Sequence, residues 1–252
     1  MTVRGSLVAI RTADGTADAY LAHPDDGRAH PGVILYMDAF GLRPHLKRMA
    51  DRLATAGYTV LVPNAYYRNG RAPVVELPEF IDPEKDDTIF DRLVPLLATL
   101  TPETTERDAD AYLRWLAGSP LVQDGPVGLT GYCRGALLAL RTAASHPDRI
   151  ALAAGFHGGN LATERPDSPH LGAGRITAEL YFGHADGDES MPPEQIERLA
   201  AALTAAGVRH RAEVYTGALH GYTQADTARY DAAADERHWE ALLGLLKRVL
   251  PA

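Results

Sequence analysis

The chain has 252 residues, 46% of them apolar, enough to bury the core of one α/β domain and too many for long disorder. A formal charge of −8 with no basic block argues against a nucleic-acid surface. No apolar stretch has the length of a membrane span, and residues 1–23 lack the basic start and apolar run of a leader. The single cysteine cannot close an internal disulfide, so a cytoplasmic location is expected.

Residues 6–12 and 17–22 read as strands joined by Ala13-Asp14-Gly15-Thr16, a hairpin turn. Residues 31–37 form a continuous apolar run, as expected of a strand covered on both faces. Leu46, Met49, Ala50, Leu53 and Ala56 recur at helical spacing, and Gly57 marks the stop. Residues 58–62 are the next strand, closed by Pro63. A charged, proline-containing stretch with little periodicity follows, read as a loop or cap-like segment over about 64–100. Helical patterns cover 88–100 and 103–116, the second with Thr101 as cap and Pro102 just inside. Strands are then expected at 126–130, 150–156, 176–182 and 211–215. Helices are expected at 136–145, at 193–206 and from about 227. This alternation predicts an α/β fold over residues 1–252, a single domain whose mostly parallel twisted sheet carries helices on both faces.

Between the strand at 126–130 and the helix at 136–145 lies Gly131-Tyr132-Cys133-Arg134-Gly135. G-x-C-x-G in that setting reads as the nucleophile elbow of an α/β-hydrolase, with sulfur in place of the usual serine oxygen. Glycine at both ends is expected to tolerate the strain of the turn. The base and acid of such a site follow the nucleophile in chain order. His220, in the loop after the last strand, is the expected base. Asp186 and Asp188 both follow the strand at 176–182, and order alone leaves the acid open between them. The backbone N–H groups of Ala39 and Arg134 are the expected oxyanion donors. Asp38 is a charged residue ending the third, apolar strand beside the presumed nucleophile, with a cap for the next helix as the alternative reading. Phe40, Tyr66, His157 and Tyr222 are candidate pocket residues, and His184 is left without a role. No metal-ligand spacing and no dinucleotide motif is present, so neither a metal nor a cofactor is expected.

Tyr36 through Pro44, Ala56-Gly57-Tyr58 through Pro63, the G-Y-C-R-G elbow and Tyr215 through Tyr222 together resemble the dienelactone hydrolase family over nearly the whole chain. The resemblance implies a Cys-Asp-His triad on Cys133, His220 and, by the spacing to Pro192, Asp188. It implies that Asp38 stands where family members carry a thiol-activating carboxylate, commonly glutamate. It also implies a departure, since a substrate-binding arginine four residues after the histidine is here Gln224. The expected activity is hydrolysis of a small-molecule ester or lactone through a cysteine thioester. A non-catalytic ligand-binding protein and an acyltransferase are the alternatives, and the oligomeric state is not legible.

Overall fold

The computed structural model describes residues 2–83, 85–86 and 88–252. β1 (Val3–Thr12) and β2 (Gly15–Pro24) form the expected hairpin, with Thr12 opposite Gly15. β3 (Gly32–Tyr36), β4 (Thr59–Pro63) and β5 (Val127–Tyr132) are buried at every residue, as expected of largely apolar strands, with Thr59 and Thr130 the polar exceptions. β6 (Ile150–Phe156), β7 (Glu179–Ala185) and β8 (His210–Tyr215) complete one sheet in the order β1-β2-β4-β3-β5-β6-β7-β8. β2 runs antiparallel to β4, and every pairing from β4 to β8 is parallel. The expected α/β-hydrolase architecture is present.

Six helices accompany the sheet among the described residues: α1 (Pro44–Thr55), α2 (Ile89–Ala98), α3 (Pro102–Ala117), α4 (Arg134–Ser145), α5 (Pro193–Ala205) and α6 (Ala232–Val249). α1 buries Leu46, Met49, Ala50 and Leu53. Each large side chain so buried contributes about 1.5–3 kcal/mol, well above helix-propensity differences of about 0.7 kcal/mol, so the apolar stripe decides its placement. α1 and α6 share one face of the sheet, where the Arg52 guanidinium lies 4.3 Å from the Trp239 ring centre. α4 covers the other face, its Thr142 hydroxyl 2.9 Å from the Tyr36 hydroxyl on β3, and α3 packs against it.

Three boundaries differ from expectation. α6 starts at Ala232 rather than near 227, because Asp231 caps it by accepting the Ala234 N–H at 2.9 Å. The residues before it are held by Ile81, whose N–H donates to Asp226 O at 2.8 Å and whose carbonyl accepts from Ala228 at 2.9 Å. β7 starts three residues late and runs on to Ala185, which brings Asp186 and Asp188 directly past its end. The segment 64–100 holds one 3-10 turn at Tyr67–Asn69 and α2, with Glu84 and Asp87 outside the described residues.

The elbow between β5 and α4 carries its strain on Cys133 itself, at φ 52° and ψ −113°. Such a conformation costs on the order of 1–3 kcal/mol and persists only where the surroundings enforce it. The flanking glycines serve close approach instead of strain. A Cβ on Gly131 would sit 2.1 Å from the Gly135 carbonyl oxygen, and one on Gly135 would sit 2.4 Å from the Tyr36 oxygen. α4 therefore starts pressed against the ends of β3 and β5, and the thiol is lifted above the carboxyl ends of the parallel strands, where ligands bind in open α/β sheets.

Candidate active site

The loops after β3, β5, β7 and β8 meet around one cavity of about 570 Å³. Cys133, Asp188, His220, Asp38, Ala39, Phe40 and His157 all line it. His220 Nδ1 lies 2.6 Å from Asp188 Oδ2. A carboxylate can only accept, so Nδ1 carries the proton of this bond and Nε2 is left to face the sulfur. The other Asp188 oxygen accepts the Ser190 N–H at 2.9 Å and the Ser190 hydroxyl at 2.7 Å. Asp186 makes a different set of bonds. Its Oδ2 accepts the Gly217 N–H at 2.8 Å, and its own N–H donates to Ala218 O at 2.8 Å. It fastens the loop that carries His220 without touching the imidazole.

Burial would raise the Cys133 thiol pKa, but the His220 charge, a hydrogen bond from its imidazole and the Arg134 N–H outweigh burial and bring it below its ordinary value. Burial likewise opposes protonation of His220, and the Cys133 thiolate with the Asp188 carboxylate reverses this, raising the histidine to about 10. Burial also works against the Asp188 carboxylate, yet His220 and Ser190 hold its pKa down. Each partner's charge thus favours the charged form of the other, with the Asp188 carboxylate behind the imidazole.

The turn after β3 is fixed by three bonds. Gly41 N–H donates to Asp38 O at 3.2 Å, Phe40 N–H to Asp38 Oδ1 at 2.9 Å, and the Tyr66 hydroxyl to Ala39 O at 3.0 Å. Since the Asp38 carbonyl faces Gly41, the N–H of the same trans peptide, that of Ala39, is turned the opposite way. The Arg134 N–H is directed at the sulfur. Asp38 does not cap α1, whose N-cap is Arg43 with no side-chain bond. Instead Asp38, 2% exposed, accepts Arg43 Nη1 at 2.7 Å, and its Oδ2 is buried without a partner among the described residues.

Phe40 and His157 line the cavity as expected; Tyr66 and Tyr222 do not. Tyr66 lies beneath the turn after β3. Tyr222 is fully buried, its hydroxyl donating to Gly183 O at 2.9 Å and its ring 5.0 Å from His157. Tyr222 is a candidate by its nearness to His220 and Tyr66 by following the strand that ends at Pro63, and both side chains turn behind the cavity wall. His157 packs 5.3 Å from His220, its Nε2 2.8 Å from the Thr223 hydroxyl. Burial, with the charges of His220 and His238, keeps it neutral by holding its pKa well below the usual histidine value. His184 stacks on Phe182, and burial lowers its pKa to about 4 against the opposing pull of Asp188.

Sequence reasoning missed Arg43. Its guanidinium joins Asp38, Asp226 (2.7 and 3.0 Å) and Gln224 Oε1 (2.8 Å) under the cavity, and Gln224 Nε2 donates on to Thr223 Oγ1 at 2.9 Å. Phe90 from α2 and Leu219 were also missed; both are exposed apolar residues of the cavity wall. Gln224 was noticed only for lacking a charge.

The model of the dienelactone hydrolase family matches residues 17–250. A Synechocystis protein provisionally named a carboxymethylenebutenolidase is 28% identical, the match covering 98% of both chains. A Bradyrhizobium protein provisionally named a 2-oxo-3-(5-oxofuran-2-ylidene)propanoate lactonase is 25% identical over 98% of this chain and 95% of its own. Among solved structures, a provisionally named dienelactone hydrolase from Klebsiella pneumoniae superposes with a TM-score of 0.85 at 23% identity, covering 98% of this chain and 100% of its own. It shares the fold.

Proposed function

The chain belongs to the dienelactone hydrolase family, and from that premise we propose that it hydrolyses carboxylic esters or lactones through a thioester on Cys133. The observation that carries the reading is the 2.6 Å bond from His220 to the buried Asp188, with the imidazole and the Cys133 thiol lining one cavity. In this mechanism the Cys133 thiolate attacks the carbonyl carbon, and the N–H groups of Ala39 and Arg134 hold the oxyanion. The imidazolium gives its proton to the departing alkoxide or enolate. His220 then takes a proton from water, which attacks the thioester, and the acid leaves as sulfur recovers its charge. Asp188 fixes the tautomer and stabilises the imidazolium throughout. We assign Asp38 Oδ2, buried and unpartnered among the described residues, as the acceptor of the proton when the thiol is in its neutral form.

Esters and lactones fit better than amides, because a thiolate leaves the tetrahedral intermediate more readily than an amine does. The test is a panel of p-nitrophenyl esters, neutral lactones and carboxylated dienelactones, read by turnover and by intact mass. Acyl mass is expected on Cys133, and Cys133→Ala is expected to lower turnover by about a thousand-fold or more. Undiminished hydrolysis by that variant would overturn the proposal.

A further inference from the structure

A second groove, of about 600 Å³, adjoins the active-site cavity. Three pairs of residues form the shared wall. Cys133 lines the cavity and Arg134 the groove; Ser190 lines the cavity and Asn160 the groove, joined by an Asn160 N–H to Ser190 O bond of 2.6 Å; Phe90 and Val94 stand one turn apart on α2. The groove is basic on an acidic protein. Arg134, Arg141 and Arg165 line it against one carboxylate, Asp167. That carboxylate is engaged by Arg165 at 3.0 Å and lies 3.8 Å from Arg141. The half-buried Arg134 guanidinium has no ion pair or hydrogen bond among the described residues. Arg141 Nη2 donates to Asp167 O at 2.9 Å, and burial and the nearby Arg134 charge depress the Arg141 pKa against the pull of Asp167, Glu106 and Glu103, so Arg134 is the cation of the groove without a partner of its own among the described residues. The main cavity has the opposite balance, with Asp38, Asp186, Asp188 and Glu189 on its wall against Arg229 and His220.

We propose that this groove is a subsite for an anionic group, carboxylate or phosphate, at the far end of an ester whose carbonyl sits at Cys133. The proposal deepens the hydrolase reading and rests on it. Val94 and Leu97 on α2 give the connecting chain an apolar wall, and Arg134 with Arg141 supplies the planar donors that match an anion's oxygens. Asp186 and Glu189 on the cavity wall disfavour the same charge there, so substrate is oriented with its anion in the groove and its carbonyl at Cys133.

Mono-p-nitrophenyl esters of succinic to suberic acid, each set against the fatty-acid ester of equal length, test it. At the best length kcat/KM is expected to favour the dicarboxylate ester. Arg134→Met and Arg141→Met are each expected to lower that ratio by about ten-fold, whatever happens to the separate rates. Inorganic phosphate is expected to inhibit competitively if the groove prefers phosphate and suberate if it prefers carboxylate. Hydrolysis of both series with ratios unchanged by either variant sinks the subsite and leaves the hydrolase reading standing. No hydrolysis of either series, with suberate or phosphate binding by calorimetry that both variants abolish, sinks the hydrolase reading and keeps an anion site in the groove.

Discussion

Asp188 and Asp186 differ by two positions and by what their oxygens accept: an imidazole N–H and a serine in one case, a glycine N–H in the other. Removing the charge of Asp188 therefore acts on the imidazolium, and removing that of Asp186 acts on a loop. His220 is protonated up to about pH 10, so the ion pair is lost on the alkaline side as the imidazolium gives up its proton. On the acid side it is lost as the thiolate takes one, below the thiol's ordinary 9.0. Asp188→Asn weakens the imidazolium, which in turn holds the thiolate less well. The active range is expected to narrow from both sides, with kcat at pH 7.5 down by about 10²–10⁴-fold. Thiolate absorbance near 240 nm against pH measures the acid limb directly. Asp186→Asn is expected to keep kcat within about three-fold and both limbs in place. Equal losses from the two variants would remove Asp188 from its assigned role.

The elbow is the element whose sequence says most, because its constraints lie within five residues. G-x-C-x-G between a strand and a helix is legible without any distant contact. Its physical reason was only half legible: the strained φ belongs to Cys133, and the glycines are there because main-chain atoms crowd them. Gly135→Ala would drive a methyl group into the Tyr36 and Met37 carbonyls, at 2.4 and 2.7 Å, where backbone must move. A loss of about 3 kcal/mol is expected, at the top of the usual range of about 0.5–3 kcal/mol for single changes. Gly244→Ala, inside α6 with nothing near the new methyl group, is the control and is expected to be as stable as wild type or more so by up to about 1 kcal/mol. Urea midpoints of the two distinguish them. The start of α6 was misread for the opposite reason. The chain before Asp231 follows Ile81 across the molecule, a partner that no local pattern names.

Across the whole molecule the legible part is that Cys133, Asp188 and His220 reach one cavity in chain order, since a parallel sheet sends successive loops to one edge. Illegible is the charge balance under the site, because Arg43, Asp38, Gln224 and Asp226 come from segments up to 188 positions apart in the numbering. That balance ties the start of α1 to the loop after β8, and it fixes how the molecule responds to losing one charge. Arg43→Met leaves Asp38 and Asp226 buried with no cation between them, which costs about 3–5 kcal/mol. For a chain of this size that is a fall in Tm of roughly 6–20 °C. Arg43 holds the Asp226 pKa below its ordinary 3.8 against burial, which would raise it. That contribution is present above pH 3.8 and is lost as pH falls through the lowered value. Without Arg43 the burial cost of Asp226 is relieved as soon as it takes up a proton, so the gap in Tm between wild type and Arg43→Met is expected to shrink as pH is lowered from 7 towards 4. Thermal melts across that range test both size and sign. A variant melting within about 2 °C of wild type at pH 7 would mean that the attraction in the network only offsets the cost of burying its charges.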